Sequence, residues 1–401
     1  MIQIEDKKNC CGCGACMNIC PRQCTTMCAD KEGFLYPIVD TTNCVQCGWC
    51  EKVCPVLQVE QEKPFEQEAY IVQIMNEQIR RESTSGGAFT AIAQYVIEKG
   101  GVVYGAAYDV EFQVEHTHAY TLGELKKFRN SKYVQSNTKN SFREVTVQLK
   151  SGRLVCYSGT PCQIEGLKRF LGKEYENLVT VDIMCYAVPS PLIWNKYLEM
   201  QKKNLGTDFS NILFRDKHYG YKYSTMTFKD VSGNDLYNVG IDTDPMLRAF
   251  FSAICDRPSC YKCVFKKRYR VSDFTIWDCN SVYDFDKCMD DDKGTTRMLI
   301  HSSKGQMIFD QIKGNLKYAK FHPDQLTAGV KEMFSSVSEN SKRKKFFEDA
   351  NHKSGIELFN IYFPVNIKTR IKRYLRLFLI STNMYSWAKK MFKEIKVKMS
   401  C

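Results

Sequence analysis

Eight cysteines set in two copies of one spacing limit what this chain can fold into more tightly than any other feature. The first copy is Cys10, Cys13, Cys16 and Cys20, closed by Pro21; the second is Cys44, Cys47, Cys50 and Cys54, closed by Pro55. Two-residue gaps let three thiolates curl around one iron–sulfur cube, and the fourth cysteine, set before proline, reaches across to a second cube. The spacing predicts one 4Fe–4S cluster on Cys10, Cys13, Cys16 and Cys54, and another on Cys44, Cys47, Cys50 and Cys20. Gly12, Gly14 and Gly48 stand between ligands, where the backbone must turn tightly and bring N–H groups near sulfide. A disulfide framework or a pair of zinc sites would leave two identical runs, each ending in Cys-Pro, without a reason.

At 401 residues the chain is too long for one compact core, and two or three domains are expected. It has 20 cysteines, of which 11 precede residue 55. The opening Met1-Ile2-Gln3-Ile4-Glu5-Asp6 lacks the basic start and apolar run of a signal peptide, so a reducing cytoplasm is the expected location. No run approaches the roughly 20 apolar residues of a spanning helix. The net charge of +12 is lopsided: from Ser341 to Cys401 there are 15 Lys/Arg against 4 Asp/Glu, which is +11.

Between the cysteine runs, Lys31 to Pro37 reads as a hairpin-like connector, and Gln58 to Glu68, charged and Gln-rich, as a linker. Ala69–Met75 suits a strand, Ser83 to Lys99 a helix stopped by Gly100-Gly101, and Val102–Ala107 the next strand. Ser85-Gly86-Gly87 opens that helix, a place that serves as an N-cap more often than as a phosphate site. Further on, Arg153–Tyr157 reads as a strand, Cys162–Leu171 as a helix with Pro161 near its start, Leu178–Met184 as a strand, and Pro189 to Lys203 as a helix. Strand, helix and strand at this spacing predict a crossover onto a parallel sheet. Cys162 and Cys185 then share the sheet edge where open α/β sheets bind ligands. The stretch 206–256 offers little to argue from, and Cys260-x2-Cys263 fits half of a zinc or a cluster site. The fold class expected is α/β, or α+β overall, with a mixed or parallel sheet. Four parts are expected: a ferredoxin-type module at 1–60, core segments at 66–150 and 151–310, and a basic helical extension at 311–401.

Seven short motifs then occur in order. They are Arg81-x3-Ser85-Gly86-Gly87-x-Phe89, Gly100-Gly101-Val102-Val103-Tyr104-Gly105, Ser131-Lys132-Tyr133-Val134-Gln135-Ser136, Ser158-Gly159-Thr160-Pro161-Cys162-Gln163, Cys185-x3-Pro189-Ser190-Pro191, Phe214-Arg215-Asp216-Lys217 and Arg257-Pro258-Ser259-Cys260-Tyr261-x-Cys263. Over about residues 5–310 this series resembles the beta-subunit family of coenzyme F420 hydrogenase and dehydrogenase, with an N-terminal dicluster ferredoxin module. The resemblance implies FAD beside the clusters, with electrons passing between clusters and FAD to a ferredoxin, a deazaflavin or an organic two-electron acceptor. Ser85, Gly86 and Gly87 become a candidate cradle for the FAD pyrophosphate. Lys132, between Ser131 and Tyr133, could offset flavin or phosphate charge, and Gly159 and Thr160 are further candidates. The resemblance also places Cys162, Cys185, Cys260 and Cys263 in matched motifs, which makes them candidates for a third 4Fe–4S cluster; zinc and plain packing are the alternatives. Cys156, Cys255, Cys279 and Cys288 are expected to be packing residues.

The chain departs from the family pattern at two places. It has Cys185-Tyr186-Ala187 in place of Cys-His-Gly, and Trp277-Asp278-Cys279-Asn280-Ser281 in place of Gly-Asp-Phe-Trp-Gly. Both changes should reshape the substrate pocket. An alternative role is an electron-transfer subunit of a larger hydrogenase- or dehydrogenase-type complex, with no substrate of its own. Expected partners are ferredoxin or another redox protein and a small-molecule acceptor, with no nucleic acid, since no recognised binding module is present. In the tail, Ile367, Ile371, Tyr374, Leu375 and Phe378 form an apolar stripe flanked by cations, and Met384, Ala388, Met391 and Ile395 a second. Such stripes suit the anionic inner face of a membrane, or else packing on the body.

Overall fold

The computed structural model describes residues 1–59, 61–382, 384, 385 and 391. The N-terminal module is small. Helix Ala15–Ile19 is followed by a hairpin of β1 (Thr25–Ala29) and β2 (Leu35–Val39), then by helix Trp49–Lys52. The hairpin turn lies where the connector between cysteine runs is expected.

The core follows with β3 (Glu68–Ile74), β4 (Val102–Tyr108), β5 (Val114–Ala119), β6 (Val155–Gly159) and β7 (Leu178–Ile183). A separate three-stranded antiparallel sheet holds β8 (Asn211–Asp216), β9 (Thr225–Lys229) and β10 (Asp235–Gly240). The chain then returns to the main sheet with β11 (Phe274–Asp278), β12 (Thr296–Ile300) and β13 (Leu316–Phe321). The main sheet has eight strands in the order β13-β3-β12-β11-β7-β6-β4-β5. Its centre, β11, β7, β6 and β4, is parallel, and antiparallel strands close both sides. The class is therefore mixed α/β, as expected.

Alternation along the central strands explains the layering. Val103, Cys156, Val179 and Val181 point to the side covered by helices Ala88–Glu98 and Ser303–Ile312. Val102, Tyr104, Val155, Tyr157 and Leu178 point to the side covered by Ser141–Lys150 and Pro161–Leu171. Cys13, Ala15 and Val53 belong to this second apolar cluster, so the N-terminal module is laid on the outer face of those two helices.

Three expectations need correction. Leu316–Phe321, in the stretch expected to open a helical extension, is the edge strand β13 paired with β3. Phe346, Phe347, Ala350, Leu358 and Phe359 are buried in the cluster around Trp194, so residues 343–363 are core and the free tail starts later. Cys288 is exposed, unlike Cys156, Cys255 and Cys279, which are buried as packing residues. Of the second tail stripe, Ala388 and Ile395 lie outside the described residues.

Polar clamps fix the module to the core. Arg143 donates to the carbonyls of Met17, Asn18 and Cys20 at 3.2, 2.6 and 2.7 Å, the carbonyls left open where helix Ala15–Ile19 ends. Thr138 donates to the Cys13 carbonyl at 3.1 Å, and Arg343 grips both Glu32 carboxylate oxygens at 2.9 and 2.6 Å.

Candidate functional site

The duplicated spacing becomes a duplicated backbone. Gly14 and Gly48 occupy the same place in the two runs, and each precedes a short helix with φ of 79° and 75°. A side chain is strained there, so glycine lets each run fold back around its sulfurs.

The runs then interleave. Cys10, Cys13, Cys16 and Cys54 line one cavity with Cys11, Ile2, Ile4 and Met27. Cys20, Cys44, Cys47 and Cys50 line another with Cys24, Val45 and Trp49. Each cavity thus brings three of the spaced cysteines of one run together with one of the other. All four sulfur-bearing residues of the first cage are buried, whereas Cys47 of the second is exposed and Cys44 and Cys50 are half-buried. The Ile2 N–H points at Cys50 Sγ at 3.3 Å, the kind of donor that a thiolate ligand accepts. Cys24, which the spacing does not single out, lies with its sulfur 3.3 Å from Cys20 Sγ.

A third group of cysteines gathers where the parallel strands end. Cys162 sits in the first turn of helix Pro161–Leu171, just beyond β6, and Cys185 two residues beyond β7. Cys260 and Cys263 come from the turn Pro258–Lys262 and the residue after it. Burial pushes the Cys260 thiol well up, and Cys185, Asp256, Cys263 and Cys162 add to the rise. Burial likewise pushes Cys185 up to about 12, with Cys162 and Cys263 raising it and Lys266 opposing. Four thiols facing one another in this way ionise together only around a cation. Among the described residues no three His, Cys, Asp or Glu side chains are drawn together tightly enough for a single ion.

Cys11 joins two of these groups. Its thiol lies beside that of Cys13 on one side and that of Cys162 on the other, and interacts with both. The first cage is thus neighbour to the third group, and the second cage faces solvent.

The candidate flavin residues fall into two places. Ser85 and Gly86 are pressed against the sheet: Ser85 Oγ donates to the Thr295 carbonyl at 2.6 Å and the Gly86 N–H to Thr296 Oγ1 at 2.8 Å. Those two groups already have internal partners. Helix Ala88–Glu98, which starts at Gly87, has no side-chain cap at its N-terminus. Thr84 and Ser131 meet through their hydroxyls at 3.0 Å, which ties the two loops together. Lys132 is not a solvated lysine: its Nζ donates to the carbonyls of Arg129 and Asn130, and burial pushes it down to about 7. Gly159 ends β6, and Thr160 caps the next helix with its Oγ1 3.1 Å from Cys162 Sγ, beside the third group.

Tyr133 reveals a wall that was not legible from the motifs. Its ring stacks on Phe250 at 4.6 Å and its hydroxyl accepts from Arg215 at 3.1 Å; Arg215 also pairs with Asp278 at 2.8 Å. Tyr186 packs on the same Phe250 and on Phe251, at 5.2 and 5.9 Å. Both divergent loops, at Tyr186 and Asp278, therefore meet at one aromatic and guanidinium surface. Lys217, two residues after Arg215, donates to the carbonyls of Arg80, Ser85 and Lys293 and joins this wall to the Ser85 loop.

Comparison with known proteins follows this division of the chain. Residues 152–324 match the family that describes the C terminus of the coenzyme F420 hydrogenase/dehydrogenase beta subunit, and residues 37–58 match the 4Fe-4S binding domain. No curated protein matches the chain. Among solved structures, one polypeptide of the F420-reducing [NiFe] hydrogenase complex from Methanosarcina barkeri, determined in a xenon-derivatization study, aligns at 16% identity. The alignment covers 73% of this chain and 93% of that one, with a TM-score of 0.45.

Proposed function

We propose, from the match of residues 152–324 to the C terminus of the coenzyme F420 hydrogenase/dehydrogenase beta subunit and of residues 37–58 to a 4Fe-4S binding domain, that the chain is an iron–sulfur flavoprotein oxidoreductase of that family. In this reading Cys10, Cys13, Cys16 and Cys54 hold one 4Fe–4S cluster, Cys20, Cys44, Cys47 and Cys50 a second, and Cys162, Cys185, Cys260 and Cys263 a third. FAD lies against Gly87, Ser131, Lys132, Tyr133 and Thr160. When bound, the clusters carry single electrons and the flavin collects two for a ferredoxin, a deazaflavin or an organic acceptor. The observation that carries the reading is Cys11, whose contacts with both Cys13 and Cys162 put the buried cage beside the third group. The solvent-facing cage, the buried cage and the core cysteines form one series leading inward. The donor sets fit: each is four thiols, and Lys266 and Arg270 stand near the third to balance its charge.

Protein purified without oxygen is expected to release about one FAD per chain on acid treatment, and to show resolved flavin bands above the broad cluster absorption. Fully cluster-loaded protein that releases no flavin would refute the flavin part. Exposed Val45 and Trp49, at 58% and 52%, line the mouth of the second cage and favour a second reading, in which the protein docks on a larger complex. In that case the isolated chain releases FAD yet reduces no small acceptor.

We further propose that the tail contacts an anionic membrane surface. Helix Ile367–Ser381 has no buried residue, and Ile367, Ile371, Tyr374, Leu375 and Phe378 are all more than half exposed. Lys368, Arg370, Lys372, Arg373 and Arg376 flank them, and the helix contains no acid. No described helix is long and apolar enough to cross a membrane. A basic amphipathic helix lies in the interface and gains about 1 kcal/mol per cation near anionic lipid. Sedimentation with vesicles containing phosphatidylserine is therefore expected to retain the chain at least about tenfold better than with neutral phosphatidylcholine. A chain ending at residue 365, which keeps the core residues 343–363, should lose this preference. Equal binding to both vesicles would refute it.

A further inference from the structure

Arg257 stands where the first cage meets the third group of cysteines. It is 1% exposed. Its Nε donates to the Cys10 carbonyl at 2.8 Å, and its Nη2 to Cys10 Sγ at 3.4 Å and to the Leu35 carbonyl at 2.9 Å. Its Nη1 donates to Gln135 Oε1 at 3.2 Å, and its guanidinium lies 4.3 Å from the centre of the Tyr36 ring. None of these partners is a carboxylate, although a buried guanidinium is ordinarily neutralised by one. Burial works against the charge, and the Cys10, Tyr36, Cys11 and Cys260 side chains more than offset it. In place of a carboxylate, this arginine faces the Cys10 sulfur.

The second cage is held differently. It has Cys44 at the place in the run that Cys10 holds in the first; exposed Arg22 lines it, as does Met1, whose ammonium pairs with Glu51, and a backbone N–H, that of Ile2, points at its Cys50. The two cages also differ in solvation: the first is buried, and Cys47 of the second is exposed. Reduction adds one negative charge to a cluster, so burial alone makes the inner cluster the harder one to reduce. Electrons entering at the exposed cage would then be held at the surface. A cation fixed on one ligand sulfur of the inner cage offsets this, because it favours the more negative, reduced form.

We propose that Arg257 is a positioning residue that holds up the reduction potential of the cluster on Cys10, Cys13, Cys16 and Cys54, so that electrons pass from the outer cage into the core. This rests on the reading that the cages hold clusters. The step it governs is a one-electron reduction in which no bond is made or broken and no proton moves. Arg257 acts through Cys10 and does not touch a substrate.

The test is an EPR-monitored redox titration of the full chain, purified without oxygen, as wild type, Arg257→Gln and Arg257→Lys. At a fixed potential, Arg257→Gln is expected to show about a tenfold lower reduced-to-oxidised ratio for the inner cluster, which corresponds to about 59 mV for one electron. The outer cluster should be unmoved, and Arg257→Lys, which keeps the charge and loses the fork, should fall less. An unchanged inner midpoint in iron-replete Arg257→Gln overturns the proposal. If the variants do not load, wild-type protein labelled with ¹⁵N-arginine decides: pulsed EPR of the reduced inner cluster should show coupling to a guanidinium nitrogen, and its absence overturns the proposal. Wild-type protein without cluster iron would instead fail the underlying reading of the cages.

Discussion

Anaerobically purified protein should contain about twelve irons per chain, and the Cys260→Ala/Cys263→Ala variant about eight. The pair leaves from one turn, Pro258–Lys262, and the first two cages draw nothing from it. Their eight irons should therefore survive. The loss should be complete for the third group, because Cys162 and Cys185 alone present two thiols held protonated, Cys162 by its Cys11 neighbour and by burial, Cys185 by burial. Zinc in place of iron would appear as about one zinc with eight irons in the wild type, and neither cluster nor zinc as eight irons with no zinc. Either result refutes a third cluster. The turn itself should persist, since the Cys263 N–H is held by Ser336 Oγ at 2.9 Å and Arg257 by Cys10, and neither contact needs the deleted sulfurs.

Gly166→Ala should cost the inner cluster, an outcome opposite in sign to what helix propensity dictates. Glycine inside a helix is about 1 kcal/mol worse than alanine, so the change should stabilise helix Pro161–Leu171. A Cβ at this position, however, would stand 2.9 Å from both Cβ and Sγ of Cys13. A sulfur held by a cluster would not swing aside as a surface side chain can, and overpacking of this kind costs about 1–3 kcal/mol. The variant is expected to lose about four irons and the inner-cluster EPR signal while the outer signal stays. Gly314→Ala, where nothing lies within 4 Å, is the control and should keep full iron. Full iron in Gly166→Ala would mean that the module can shift without opening the cage.

What could be read from the sequence follows the range over which each constraint acts. The turns at Gly14 and Gly48 were legible because cysteine spacing is local, and such a turn needs only its own neighbours. The β6–helix–β7 unit was legible within about two residues, since strand and helix periods change sharply at Thr160 and Pro161. The small sheet was not. Its strands pair through register shifts, between Leu213 and Asp216 and between Asp235 and Tyr237, which break the alternation that marks a strand. The 343–363 helices misled for a different reason. Their charge pattern is that of a solvated tail, while Phe346, Phe347 and Phe359 fill space around Trp194 that only the fold reveals. Most distant of all is Arg257, which meets Cys10 across 247 residues. Its motif was visible; its partner was not.

The clamp of Arg143 on Met17, Asn18 and Cys20 sets an order of manufacture. Residues 10–55 are translated first, yet the carbonyls at the end of their first helix find their donor only when residue 143 arrives. The wall behind Cys13 waits for Gly166, and the cation on Cys10 waits for Arg257. A growing chain folds its leading segments as they emerge. Here the leading segment emerges with three of its fittings still to come. The linings of both cavities lie between Met1 and Cys54, yet the Cys20 carbonyl of the outer one waits for Arg143 as Cys10 and Cys13 of the inner one wait for Arg257 and Gly166. The earliest part of the protein to be made is thus closed only by residues made well after it.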